Sequence, residues 1–483
     1  MLFNSIDFLF FFPAVTLPYF ILPKKLRCVF LLAASYLFYM RWNVSYSLLL
    51  FFSTLVSYAS ALYIAYAKER NRSSLQKAAL LCSLLCQFLL LGVFKYADFF
   101  IENVNRIFLA FSGREPLSPL SLLLPVGISF FVFQAVGYTI DVYRGELLPE
   151  KNFLRYALFV SFFPQLVAGP IERSKNLLPQ IRGLEELQLW EYERVLDGLM
   201  LMLFGFFQKL VIADRAAILV KNVFQHYEGY GAFAIGLAAV CFAFKIYADF
   251  GGYTNIARGA AKVLGFSLMP NFRQPYFAKD CKDFWRRWHI SLTTWFTDYV
   301  YIPLGGSRKG TLRKYFHIFV VFFFSGLWHG ASWNFVAWGL LHALFRIGGE
   351  IKARVRGGKG EKGKHPLACV GTFICVTFAW VFFAADNVTH ALRLFKQACV
   401  GSPLAGVSAL GLSAADLCIL AFAVFLLLVA DALKERGFVL LSLFKAQRAW
   451  VRMGALLFLF WFTIFLGIYG VEYDAGAFIY FQF

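Results

Sequence analysis

FFFSGLWHGASWNFVAWGLLHAL, residues 322–344, decides how this chain is read. The run is apolar enough to enter a bilayer, yet it sets His329 between Trp328 and Trp333, with Gly330, Ala331 and Ser332 directly after it. An ionisable side chain at that depth is costly and marks a candidate functional site. A second tryptophan-rich segment, DFWRRWHISLTTWFTDYVYIPLGGSR at 283–308, carries His289.

Outward from these segments the whole chain is apolar. Of 483 residues 60% are hydrophobic and 16% charged, and 59 are Phe. A soluble domain averages about 45–50% apolar and about 25% charged. Apolar runs recur near 7–22, 28–40, 46–67, 78–95, 120–141, 154–170, 195–213, 230–248, 314–328, 331–346, 367–384, 414–433 and 451–470. They predict an all-α polytopic membrane protein of about 11–13 helices, since a spanning helix needs roughly 20 mainly apolar residues. The first run, DFLFFFPAVTLPYFIL, has no basic leader and no small-residue cleavage site, so it is expected to stay as the first helix. No linker is long enough to set off a soluble domain, so 1–483 is expected to be one membrane domain. The segments 99–111 and 185–201 are amphipathic and are expected to lie in the interface before a span. The Gly/Lys-rich stretch 347–366 is expected to be a cytoplasmic loop.

The net charge of +19 sits in the connections, as at Lys24, Lys25 and Arg27, Arg308 to Lys314, and Lys434 and Arg436. Such clusters mark cytoplasmic loops and attract anionic lipid heads, and their positions argue against nucleic acid as a partner. The two ends carry little positive charge and are expected outside. Nine scattered cysteines read as small buried hydrophobes, with no metal site. There is no P-loop, no GxSxG and no HExxH.

The region 249–310 is too polar for lipid and too aromatic for an ordinary loop. It holds Asp249, Asp283, Arg286, Arg287, His289 and Asp298 among Trp285, Trp288 and Trp295. Such a segment is tolerated at membrane depth when it is buried in protein or lines a cavity. Asp249 and Glu172 read as span-end or loop charges, and Lys209 with Asp214 as a helix-end ion pair. His329 suits a general base that activates a hydroxyl or thiol. Trp328 and Trp333 would wall the site, and Asn334 would hold an oxyanion or orient a ring. The competing reading is a core histidine bonded to a carbonyl.

These blocks together resemble the membrane-bound O-acyltransferases. The similarity runs through MLFNSIDFLFFF, GYTIDVYRGE, FFPQLVAGPIERSKNLLPQI, YADFGGYTNIARG, PNFRQPYF and the two histidine segments, to the closing FIYFQF. Within the family the chain is most similar to the bacterial branch that O-acetylates exported polysaccharides such as alginate, and less so to the D-alanyl-lipoteichoic acid branch. The resemblance implies a ring of helices around a thinned centre with cavities from both faces, and His329 and His289 as the catalytic pair. It also implies a substrate channel near Trp285, Trp288, Trp328, Trp333, Asn334 and Asp298. No cofactor stays bound; acetyl-CoA or an acyl carrier protein is the implied donor. An extracytoplasmic SGNH-type partner, a polysaccharide acceptor and membrane lipids are the implied partners. Gly251, Thr254, Asn255, Arg273 and Thr297 depart from the family pattern, which leaves the acceptor open. Two other classes make different expectations. A sugar-lipid transporter predicts internal pseudo-symmetry, and an export scaffold predicts that both histidines tolerate Gln.

Overall fold

The computed structural model describes residues 1–167, 169–355 and 366–469. Among them all regular structure is helical. Seven helices are long and apolar enough to cross a membrane. They are Tyr46–Glu69 (α3), Ser73–Ser112 (α4), Tyr192–Gln225 (α8), Ala232–Val263 (α9), Pro366–Ala384 (α14), Ala414–Glu435 (α16) and Ala449–Leu466 (α17). The other α-helices of seven residues or more are Ile6–Ile21 (α1), Arg27–Met40 (α2), Ile128–Arg144 (α5), Phe153–Ser161 (α6), Ser174–Arg182 (α7), Cys281–Arg287 (α10), Ile290–Phe296 (α11), Thr311–His329 (α12), Trp333–Val355 (α13) and Val388–Val400 (α15).

Of the thirteen apolar runs expected from the sequence, seven fall in helices that are by themselves long and apolar enough to span, among the described residues. The runs at 7–22 and 28–40 form helices of 16 and 14 residues, and others are apolar because they are buried in protein. The run expected over 120–141 is nonhelical to Gly127, and fourteen of the seventeen residues of α5 are buried. The run over 154–170 breaks after the nine residues of α6. Residues 99–111 continue α4 through the π-turn Gly92–Tyr96 rather than starting a separate interfacial helix. The helix expected from 185 starts at Tyr192. The supposed loop from 347 is helical to Val355; residues 356–365 and the FIYFQF ending lie outside the described residues.

The chain divides into two compact units, residues 1–199 with 257–269, and 200–256 with the rest from 270. In the first, α3 packs on α4, α5 and α6. Buried polar groups there are paired across helices. Ser53 Oγ donates to Gln87 Oε1 at 2.7 Å, and the Tyr156 hydroxyl meets Ser57 Oγ at 2.7 Å. Arg27 Nη1 donates to the Leu187 carbonyl at 2.9 Å. Glu172 is buried, accepting from Asn176 Nδ2 at 2.6 Å and from the Met269 backbone N–H.

The second unit is organised by an antiparallel hairpin. Helices α12 and α13 are joined by three residues, and at their far ends Lys314 pairs with Glu350. Glycine sets how closely they meet. A Cβ on Gly326 would lie 2.4 Å from the Phe335 carbonyl oxygen, and one on Gly339 2.3 Å from that of Phe322. Backbone cannot give way as a side chain tip can. Gly339→Ala is therefore expected to cost about 1–3 kcal/mol, as overpacking does, and to lower the melting temperature of the detergent-purified protein.

Candidate active site

His289 sits on the turn between α10 and α11. Asp280 caps α10, its side chain accepting from the Asp283 N–H at 2.7 Å. After Trp288 the backbone enters the left-handed region at His289, with φ 42° and ψ 53°. A side-chain-bearing residue is uncommon there, and such strain persists only where neighbours fix it. Asn271, 1% exposed, does the fixing. Its carbonyl accepts from the Ile290 N–H at 2.9 Å, and its Oδ1 accepts from Ser291 Oγ at 2.6 Å. Its amide donates to Thr254 Oγ1 at 3.2 Å, which ties the turn to α9. The imidazole is buried against Phe250 and Trp328, with ring centres 4.7 and 5.6 Å away.

His329 is the last residue of α12. Its ring is 3% exposed and lies edge-on to Trp328 and Trp338, each 5.0 Å away, and to Phe383 at 5.3 Å. The two histidine rings are 6.2 Å apart. That is about 1 Å too far for a direct imidazole–imidazole bond, and within reach of one oxygen bonding to both.

A cavity of about 260 Å³ is lined in part by Ser325 and Thr293, each one helical turn from one of the two histidines. Exposed Lys282 and Arg286 stand at its open end with Arg346. Its inner end is lined by Trp285, Leu292, Thr293, Phe322 and Ser325. Ser325 is one turn before His329 on the same face of α12, and Leu292 and Thr293 begin the turn after His289. Neither histidine is itself part of the lining. Trp285 Nε1 donates to His342 Nδ1 at 3.2 Å, so His342 carries its proton on Nε2 and acts here as a neutral acceptor that orients the indole.

The sequence-predicted residues separate into groups. His289, His329 and Trp328 form the buried cluster, and Trp285 lines the cavity. Trp288 is packed against Phe272 at 4.8 Å and Trp380 at 5.0 Å. Asp298 lies half-buried on the π-turn Thr297–Tyr301, beside Thr297 at the cavity. Trp333 is 49% exposed. The Asn334 amide donates to the carbonyls of Ala385, at 2.7 Å, and Phe382, tying α13 to the end of α14. Reasoning from the sequence missed Asn271, Trp338, Phe383, Lys282 and Arg346. Only Trp338 carried a signal, since it shares the run 322–344 with His329. Asp249 is a correction: it is 1% exposed, not at a surface. Among the described residues no three His, Cys, Asp or Glu side chains gather as a metal site.

The profile of the membrane-bound O-acyltransferase family matches residues 143–382, which contain both histidines and the whole lining of the cavity. Over 82% of its length the chain is 36% identical to a Pseudomonas putida protein named "Probable alginate O-acetylase AlgI", covering 79% of that protein. It is 35% identical to the peptidoglycan O-acetyltransferase of Helicobacter pylori, over 82% of this chain and 79% of that one. Against the teichoic acid D-alanyltransferase of Bacillus subtilis it is 26% identical, over 68% of this chain and 82% of the relative.

Proposed function

The chain belongs to the membrane-bound O-acyltransferase family, and from that premise we propose that it takes an acetyl group from cytoplasmic acetyl-CoA and passes it across the inner membrane for O-acetylation of an exported or cell-surface polysaccharide. The observation that carries this reading is the cavity whose lining includes Ser325 and Thr293, each one helical turn from one of the two histidines. Its narrow inner end suits a pantetheine arm, and Lys282 and Arg286 at the mouth suit phosphates. His329 accepts the proton of the acceptor hydroxyl as that oxygen attacks the thioester carbonyl. The C–S bond breaks, and the leaving thiolate takes the proton back from His329. His289 holds the reacting oxygen in place. The packed tryptophans keep water from hydrolysing the thioester. An SGNH-type extracytoplasmic partner supplies the first hydroxyl and hands the acetyl group to the polymer.

The test is proteoliposomes loaded with acetyl-labelled CoA, with the SGNH-type partner outside. Label on the external partner supports the proposal. Label only from a carrier-linked D-alanyl donor overturns it.

Two variants probe the geometry. Ser325→Phe fills the inner end of the cavity and is expected to raise KM for the donor about tenfold or more, through the donor atoms it displaces. Asn271→Ala removes two side-chain hydrogen bonds from the turn under His289. It is expected to cost about 1–3 kcal/mol of stability and to lower kcat at unchanged donor KM.

A further inference from the structure

A second and larger cavity, about 770 Å³, lies on the other side of α10, bounded by α14 and α16. Its walls are Phe244, Val370, Phe373 and Leu428. Its rim is cationic. Lys279, Lys282, Arg286 and Arg436 are exposed there, and no acidic side chain pairs with them among the described residues. The acids at the same rim are committed elsewhere. Asp283 and Glu435 hold Arg287, at 3.0 and 2.7 Å, and Asp280 caps α10.

We propose that this groove binds an anionic phospholipid of the cytoplasmic leaflet, with its phosphate between Lys279 and Arg436, leaving Lys282 and Arg286 to the donor phosphates, and with an acyl chain along Phe373 and Leu428. An ordinary solvated basic face would not close over an apolar trough. Here the trough lies against two apolar, span-length helices that also carry exposed apolar side chains outside it, as at Ile374 and Phe425. Lys279 and Arg436, with no carboxylate partner among the described residues, select a net negative head over a zwitterionic one. A soluble nucleotide fits less well, because the wall offers little to read a base. Tyr276 already donates its hydroxyl to the Ala243 carbonyl, and Cys369 its thiol to that of Phe277.

The test uses Lys279 and Arg436, which line this groove and not the smaller cavity. Purified wild type and the Lys279→Gln/Arg436→Gln double variant are titrated with phosphatidylglycerol and phosphatidylcholine of matched chains, and bound lipid is counted by native mass spectrometry. Wild type is expected to prefer phosphatidylglycerol about tenfold or more, and the double variant to lose that preference. Equal binding of both lipids by wild type, an unchanged preference in the variant, or displacement of the lipid by glycerol phosphate or ADP overturns the proposal. Should the variant not fold, hydrogen exchange on wild type decides. Phosphatidylglycerol alone must protect 366–373 and 428–436, and equal protection by phosphatidylcholine also overturns it.

Discussion

His329→Ala is expected to lower acetyl transfer by roughly 10²–10⁴-fold, the usual contribution of a positioned general base. The protein should still insert and fold, because the imidazole is held by ring contacts that other helices also make among themselves; Trp338, for instance, stacks on Trp380 at 5.5 Å without it. The double variant with His289→Ala sharpens the test. If the two rings grip one oxygen, they act as a unit, and the double variant should be little slower than His329→Ala alone. Multiplicative losses would mean that the histidines serve separate steps. The measurement is initial rate of label transfer in membranes matched for protein amount. A folded His329→Ala protein that transfers at the wild-type rate would remove the base from the mechanism. A His329→Gln protein with full activity would leave only a structural role.

The histidines were legible in the sequence because an ionisable group inside an apolar, tryptophan-rich run is a rare pattern, and rarity carries information. Their pairing was expected from the family resemblance, not from the residues themselves. His289 and His329 come together because His289 adopts a left-handed backbone that Asn271 enforces, and nothing about an asparagine in PNFRQPYF announces that duty. The form that some apolar runs take was hidden for a related reason. Hydropathy does not distinguish a side chain facing lipid from one facing protein, so α5, almost wholly buried, reads like a bilayer helix. The donor cavity was half legible. Arg286 and Trp285 stood out in the motif, while Lys282 and Arg346 become neighbours only once α10 lies against α13. Asn334 shows the opposite failure: a polar residue near a candidate base invites a catalytic role, and its amide is in fact bonded to the end of another helix.

The largest loss of stability is expected from Lys209→Met. The sequence suggests a helix-end pair with Asp214, but α8 does not end there; it continues through the π-turn Phe207–Ala213. Lys209 is 1% exposed, and its ammonium lies 2.8 Å from a carboxylate oxygen of Asp214 and 2.8 Å from one of Asp249. Lys245 is one turn before Asp249 on α9, so the cluster holds two cations and two anions. Removing Lys209 leaves a net buried negative charge, and breaking such a pair typically costs about 3–5 kcal/mol. Asp214→Leu is expected to do comparable harm with the opposite sign, leaving a net positive charge. The double variant Lys209→Met/Asp214→Leu restores neutrality with Lys245 and Asp249. It should therefore melt above either single variant, a non-additivity that a loss of packing alone would not produce. Thermal melts of the four detergent-purified proteins decide it. Additive losses would show that shape rather than charge balance holds this cluster together.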